Sequence, residues 1–214
     1  MGARQNRAVM DTTFIITAFV TMFVVIDPAG LAPLFVALTQ GMSAAARRAI
    51  ALRACATAIG VLTMFALFGE ALLDFVGISM PAFRVAGGIL LFLTALDMLF
   101  ERRTKRREDS AEHDDHQDPS VFPLGIPLLA GPGAIASIIL LAGQKPGLEG
   151  LSIAIGVTLA VILLVLLLFL ASNLLERALG RTGINVVTRL LGMLLAALAV
   201  QFVLDGLSDF GFGP

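Results

Sequence analysis

Apolar residues run through this chain in six blocks, about 12–39, 50–70, 81–100, 119–142, 151–172 and 184–206. Roughly 20 apolar helical residues match the ~30 Å hydrocarbon core of a bilayer. Each block is long enough to be read as a transmembrane helix. One polar stretch, ERRTKRREDSAEHDDHQDPS from Glu101 to Ser120, divides the blocks three and three; the other connections are short. The pattern predicts an all-α integral membrane protein with six spans. The first block continues to Leu38, well beyond the h-region of a signal peptide, and has no clear A-x-A site. It is expected to remain as a span.

Composition supports this reading. Of 214 residues, 57% are hydrophobic and only 14% charged, against about 25% charged in soluble domains; the mean hydropathy is +0.92. These values exclude an ordinary globular enzyme. A net charge of −1 gives no field to recruit nucleic acid, and the single Cys55 can form no internal disulfide. There is no Trp or Tyr to form an aromatic belt, and the 15 Phe cannot hydrogen-bond to headgroups. The basic residues set the orientation. One side holds Arg4, Arg7, Arg84 and Lys145. The other holds Arg47, Arg48, Arg53, Arg102, Arg103, Lys105, Arg106, Arg107, Arg177, Arg181 and Arg189. The expected topology puts both termini outside and the linker 101–120 in the cytoplasm, with Arg4 and Arg7 opposing it.

The halves resemble each other. IDPAGLAPLF, from Ile26, aligns with AGPGAIASII, from Ala130, at an offset of 104; RVAGGILLFL, from Arg84, aligns with RLLGMLLAAL, from Arg189, at 105. Residues 1–100 therefore read as a first three-helix repeat and 121–214 as a second. Three spans per repeat is an odd number, so the second must enter the membrane inverted, a common build for secondary transporters.

The chemistry concentrates where spans one and four are interrupted. Span one contains Asp27, Pro28, Gly30 and Pro33; span four contains Pro127, Gly131, Pro132 and Gly133, with Ser137 following. Proline removes an intrahelical hydrogen bond, while Asp at the cap and Pro at the first helical position mark a helix start. New helices are thus expected in mid-span at Pro28 and Pro132, with glycine the weaker cap in the second. A half-helix N-terminus offers free N–H groups and a positive dipole end to an anion. Asp27 is the one ionisable side chain near the centre of a span, a functional candidate by default. Three roles are open to it: binding a substrate ammonium, carrying a coupling proton, or capping its helix.

Other features read as structure. Arg84 and Arg189 begin spans three and six and can snorkel or turn inward to gate or pair; Glu70 and Asp74 are the nearby acids for Arg84. Gly87, Gly88 and Gly192 suit close helix contacts. Asp97 and Gln201 fall near span ends, and Cys55 in an apolar packing position. Glu112, His113, Asp114, Asp115 and His116 sit in the polar linker with nothing to fix a metal geometry, so no metal or cofactor is expected. No nucleotide-binding or hydrolase motif occurs.

Four segments carry a family resemblance: IDPAGLAPLFVALT (Ile26–Thr39), FRVAGGILLFLTALDMLF (Phe83–Phe100), PLGIPLLAGPGAIAS (Pro123–Ser137) and TRLLGMLLAALAVQFVLDG (Thr188–Gly206). In order and spacing the chain resembles the MarC family of six-span bacterial and archaeal inner-membrane proteins. That resemblance implies two membrane-embedded loops, at Asp27–Pro33 and Gly131–Ser137, and transport of small neutral amino acids such as glycine and alanine. The expected function is secondary transport of a small solute, driven by a proton or sodium gradient or by the solute's own gradient. A passive channel-like pore and a membrane scaffold are the alternatives. The lipid bilayer is the expected environment, and small lipid-facing residues permit an oligomer.

Overall fold

A computed structural model describes the backbone of residues 2–100, 102, 118–145 and 147–212, and their side chains except those of 2–11, 173–179 and 181. Its elements are α1 (Gly2–Ile26), α2 (Pro28–Leu38), α3 (Ala44–Val76), α4 (Met80–Leu99), an irregular helical segment α5 (Ser120–Leu129), α6 (Pro132–Gly143), α7 (Leu148–Leu170) and α8 (Ser172–Asp209). No strand occurs among the described residues. Among the described residues, five helical stretches are long and apolar enough to cross a bilayer, α1 and α2 together making one of them, or six if the bent pair α5 and α6 is counted as one. The linker, including Glu112–His116, lies largely outside the described residues.

Local signals set the helix ends, and several helices outrun their apolar blocks. Ser43 caps α3 by accepting from the Ala46 amide at 3.3 Å. Gly77, at φ 81°, ends it, with the Gly77 and Ile78 amides donating back to Asp74 and Leu73. Ser79 caps α4 on the Ala82 amide at 3.4 Å. Hydropathy marks the lipid-exposed length of a helix, whereas caps decide where the backbone stops being helical. For this reason α3 spans 33 residues where the apolar block has about 21. In α8, Gly180 at φ 60° and ψ 175° interrupts the helix before the apolar stretch Thr182–Asp209.

Span one is interrupted at a single residue, between α1 and α2. Span four is broken more deeply. In α5, Phe122 and Ile126 take extended backbone angles, each just before a proline, which disfavours helical geometry in the preceding residue. The amides of Leu124 and Ala130 donate to the carbonyls five residues back, at 3.2 and 3.0 Å. The axis then turns by 55° into α6.

Small residues let the helices approach. Ala51, Ala54 and Ala58 of α3 are fully buried, as is Leu62. The helices α4 and α8 lie antiparallel. A Cβ on Gly88 would stand 2.8 Å from the Ala199 carbonyl oxygen, one on Gly192 3.3 Å from that of Ala95, and one on Gly206 3.0 Å from that of Pro81. Lipid tails are as apolar as Leu, so association inside a bilayer relies on such close van der Waals packing. Large apolar side chains cover the outside, among them Phe68, Phe75, Leu163 and Met193. In water this surface would be a liability; against lipid it is the solvent-facing side.

Candidate functional site

The two interrupted spans meet where α1 packs on α6. A Cβ on Gly133 would stand 3.2 Å from Val25 Cγ1, and further along the Lys145 ammonium lies 5.3 Å from the centre of the Phe14 ring. As numbers rise on α1 they fall along α6, so the two run antiparallel. Val25 precedes Asp27 by two residues and Gly133 follows Gly131 by two, so the interruptions of spans one and four meet at one level.

At the first interruption Asp27 is fully buried, with φ 58° and ψ 65°. It is the only residue other than glycine with positive φ among the described residues, in a region that Asp tolerates better than most side chains. Its Oδ1 accepts from the Gly30 amide at 3.1 Å, so the carboxylate caps α2. Gly30 is required there, because a Cβ would collide with Asp27 Oδ2. Pro28, buried, opens α2, and Pro33 lies half-buried inside it. At the second interruption Gly131 precedes Pro132 and no side chain caps α6. A Cβ on Gly131 would stand 2.5 Å from the Pro127 carbonyl oxygen. The Ile135 amide finds the Gly131 carbonyl at 2.9 Å, and no side chain caps the amides of Gly133 and Ala134 at the positive end of the helix. The glycines thus serve the chain's own turns.

Ser137 is fully buried on α6 and its hydroxyl has no hydrogen-bond partner; the same is true of Thr21 on α1. The sequence reading passed over Thr21, since one hydroxyl barely alters the hydropathy of an apolar helix. Its signal was its place six residues before Asp27. Arg84 pairs with Asp209 at the end of α8, Nη1 to Oδ2 at 2.5 Å, and not with Glu70 or Asp74. The antiparallel packing of α4 on α8 brings the two ends together, whereas Glu70 and Asp74 are exposed on α3. Arg189 is exposed on α8.

Phe35 of α2 and Phe169 of α7 stack with centroids 4.5 Å apart and planes 4° from parallel, each about 1% exposed. The Arg47 guanidinium lies 5.7 Å above the Phe35 ring and donates to Ser172 Oγ at 3.2 Å. Outside the spans, Asp118 pairs with Arg53 at 2.5 Å. Hydrogen bonding from Ser120, then the Arg53 charge, holds the Asp118 carboxyl below its usual range. Cys55 is buried, its Sγ 4.0 Å from the Ile162 carbonyl oxygen. Among the described residues no three His, Cys, Asp or Glu gather as a metal site.

A bundle of long apolar helices, with one pair bent by 55° at a short break, defines a multi-pass integral membrane protein. Residues 12–210 match the family described as MarC family integral membrane protein, and the chain belongs to that family. A UPF0056 membrane protein of Aquifex aeolicus is 38% identical, over 91% of this chain and 92% of its own length. The UPF0056 membrane protein YvbG of Bacillus subtilis is also 38% identical, over 92% and 96%. YhcE of Escherichia coli is 34% identical, over 88% and 89%. No solved structure matches the chain.

Proposed function

We propose that this chain is a secondary transporter of a small solute, most simply a small neutral amino acid such as glycine or alanine, and not an enzyme. The observation that carries the reading is the meeting of the two span interruptions, Asp27–Pro28 and Gly131–Pro132, at one level between antiparallel helices. Irregular backbone at membrane depth persists only where protein or a water-filled cavity satisfies it. Broken helices at matched positions of two repeats are the usual location of a transporter's binding site.

The same proposal includes a 3+3 inverted repeat, residues 1–100 and 121–214. Its support is a reciprocal contact between α4 and α8. Gly88 of the first repeat packs on Ala199 and Val203 of the second, while Gly192 of the second packs on Met98, Ala95 and Leu99 of the first. Rocking of one repeat against the other would expose the site alternately to each side. In this reading the protein sits in the inner membrane with both termini outside and the linker in the cytoplasm, and a proton, a sodium ion or the solute's own gradient drives it.

Counterflow tests the reading. Proteoliposomes loaded with unlabelled alanine should accumulate labelled glycine, alanine and serine above equilibrium, and leucine little. No accumulation by folded, correctly inserted protein would rule out carriage of these solutes. Equal flux with and without internal alanine would indicate a passive pore instead.

A further inference from the structure

Gln201 stands deeper along its span than the end of the apolar block, where the hydropathy pattern puts it. A Cβ on Gly88 of α4 would stand 2.8 Å from the Ala199 carbonyl oxygen and 3.0 Å from the Val203 nitrogen. Gln201 lies midway between those two contacts on α8, so it shares the level of Gly88. That glycine is eight residues into the 20-residue α4, about 12 Å from its Met80 end and about 17 Å from its Leu99 end. Both helices are long and apolar enough to cross a bilayer, so this level falls within the hydrocarbon.

A polar side chain at such depth ordinarily faces the interior of the bundle. Gln201 is exposed on the outside of α8. Its Nε2 donates to Asp205 Oδ1 at 2.6 Å, one turn along the same helix. That bond uses one of the amide's two hydrogens. The second hydrogen and Oε1 have no partner among the described residues, and lipid tails offer none. The surface around the amide is regular. Leu190, Leu194, Ala197, Gln201, Leu204 and Ser208 are all exposed, and their spacing runs four, three, four, three, four. That alternation is the 3.5-residue repeat by which two helices keep one seam facing each other over several turns. Ala197, one turn from Gln201, is small enough to allow close approach.

We infer that this face of α8 is where a second copy of the chain docks, the two α8 helices lying side by side about a two-fold axis along the membrane normal. An axis in the membrane plane would invert one copy, so copies inserted in the same direction can share only the axis along the normal. Each residue on the seam then meets its own counterpart at its own depth. Gln201 meets Gln201, and a carboxamide is self-complementary. Each Nε2 donates its free hydrogen to the other copy's Oε1 and keeps Asp205 with the first, so both amides are satisfied. A single polar residue in an apolar seam fixes register and partner number in this way. The helix serves two contacts through opposite faces: Gly192, Ala199 and Gly206 turn to α4 within the copy, and Ala197, Gln201 and Leu204 turn to the second copy.

The test uses the full chain in lipid vesicles. In a Cys55→Ser background, Ala197→Cys and Leu204→Cys should each give a disulfide-linked dimer on mild oxidation. Leu163→Cys, equally exposed but on α7, should stay monomeric. Energy transfer between labelled copies, followed as the protein is diluted with lipid, gives the association constant. Gln201→Leu should weaken association about five- to thirtyfold, the loss expected for a hydrogen bond between helices in a bilayer. Gln201→Asn, which keeps a self-complementary amide, should weaken it less. Leucine suits a lipid-facing position, so the Gln201→Leu chain should fold with an unchanged or higher thermal midpoint in detergent. Cross-linking by Leu163→Cys as efficient as by Ala197→Cys, undiminished association of the folded Gln201→Leu chain, or a monomer at every dilution would overturn the proposal. So would a cross-link from Ala197→Cys to a different polypeptide in native membranes, with no dimer formed.

Discussion

Asp27 combines an unfavourable backbone angle with a compensating cap, and Gly30 makes the combination possible. Gly30→Ala should therefore push the Asp27 carboxylate off the Gly30 amide and lower stability by about 1 kcal/mol, the usual worth of an N-cap. Asp27→Asn keeps both a capping oxygen and tolerance for positive φ, so it should cost less than Asp27→Ala. Thermal unfolding in detergent would order the three variants. Asp118 provides a pH prediction. Its folded pKa lies below the ordinary carboxylate value of 3.8, so its stabilising contribution is present above that value and is lost as pH falls through the folded pKa. Asp118→Asn should be slightly less stable than the parent at neutral pH and indistinguishable from it once the carboxyl is protonated. The Arg53 pair is solvent-exposed, so the difference should be small and should shrink with salt.

Among whole elements, the tightest association is that of α4 with α8. A side chain on Gly88 meets backbone on the facing helix, which cannot move aside without separating the pair. Gly88→Val should cost about 1–3 kcal/mol, the usual penalty for overpacking. Gly156→Val, where nothing lies within 4 Å of the added carbon, should be close to neutral. Comparing the two thermal midpoints separates packing from a general intolerance of helix substitution. The Phe35–Phe169 stack belongs to this scale as well. Phe169→Ala removes a fully buried ring between α2 and α7 and should lower stability by about 3–5 kcal/mol.

At the scale of the whole molecule, the number of spans decides the topology. If α5 and α6 together cross the membrane, three spans separate Gln40 from Leu148, and these exposed positions lie on opposite sides. In a Cys55→Ser background, Gln40→Cys should label from the cytoplasm with a membrane-impermeant thiol reagent and Leu148→Cys from outside. Labelling of both from one side would make α5 and α6 a re-entrant loop.

The hydrophobic pattern by itself located the spans, and proline, glycine and aspartate located the interruptions, because both are local. A stretch of apolar residues must meet lipid whatever it packs against, and Pro28 or Pro132 cannot donate a backbone hydrogen bond in any fold. Local caps already escaped that pattern: Ser43 and Gly77 carry α3 well past its apolar block. Only the tertiary structure decided what stands beside each interruption. It placed Val25 against Gly133, gave Arg84 to Asp209 and not to Glu70 or Asp74, and set Phe35 on Phe169. It also filled the space beside Gly30 and Gly131 with the chain's own atoms and left the hydroxyls of Thr21 and Ser137 without partners. Such pairings depend on helix direction, register and crossing, which are settled by packing between segments distant in sequence. Hydropathy along a single chain records which residues prefer lipid, but not which of them meet.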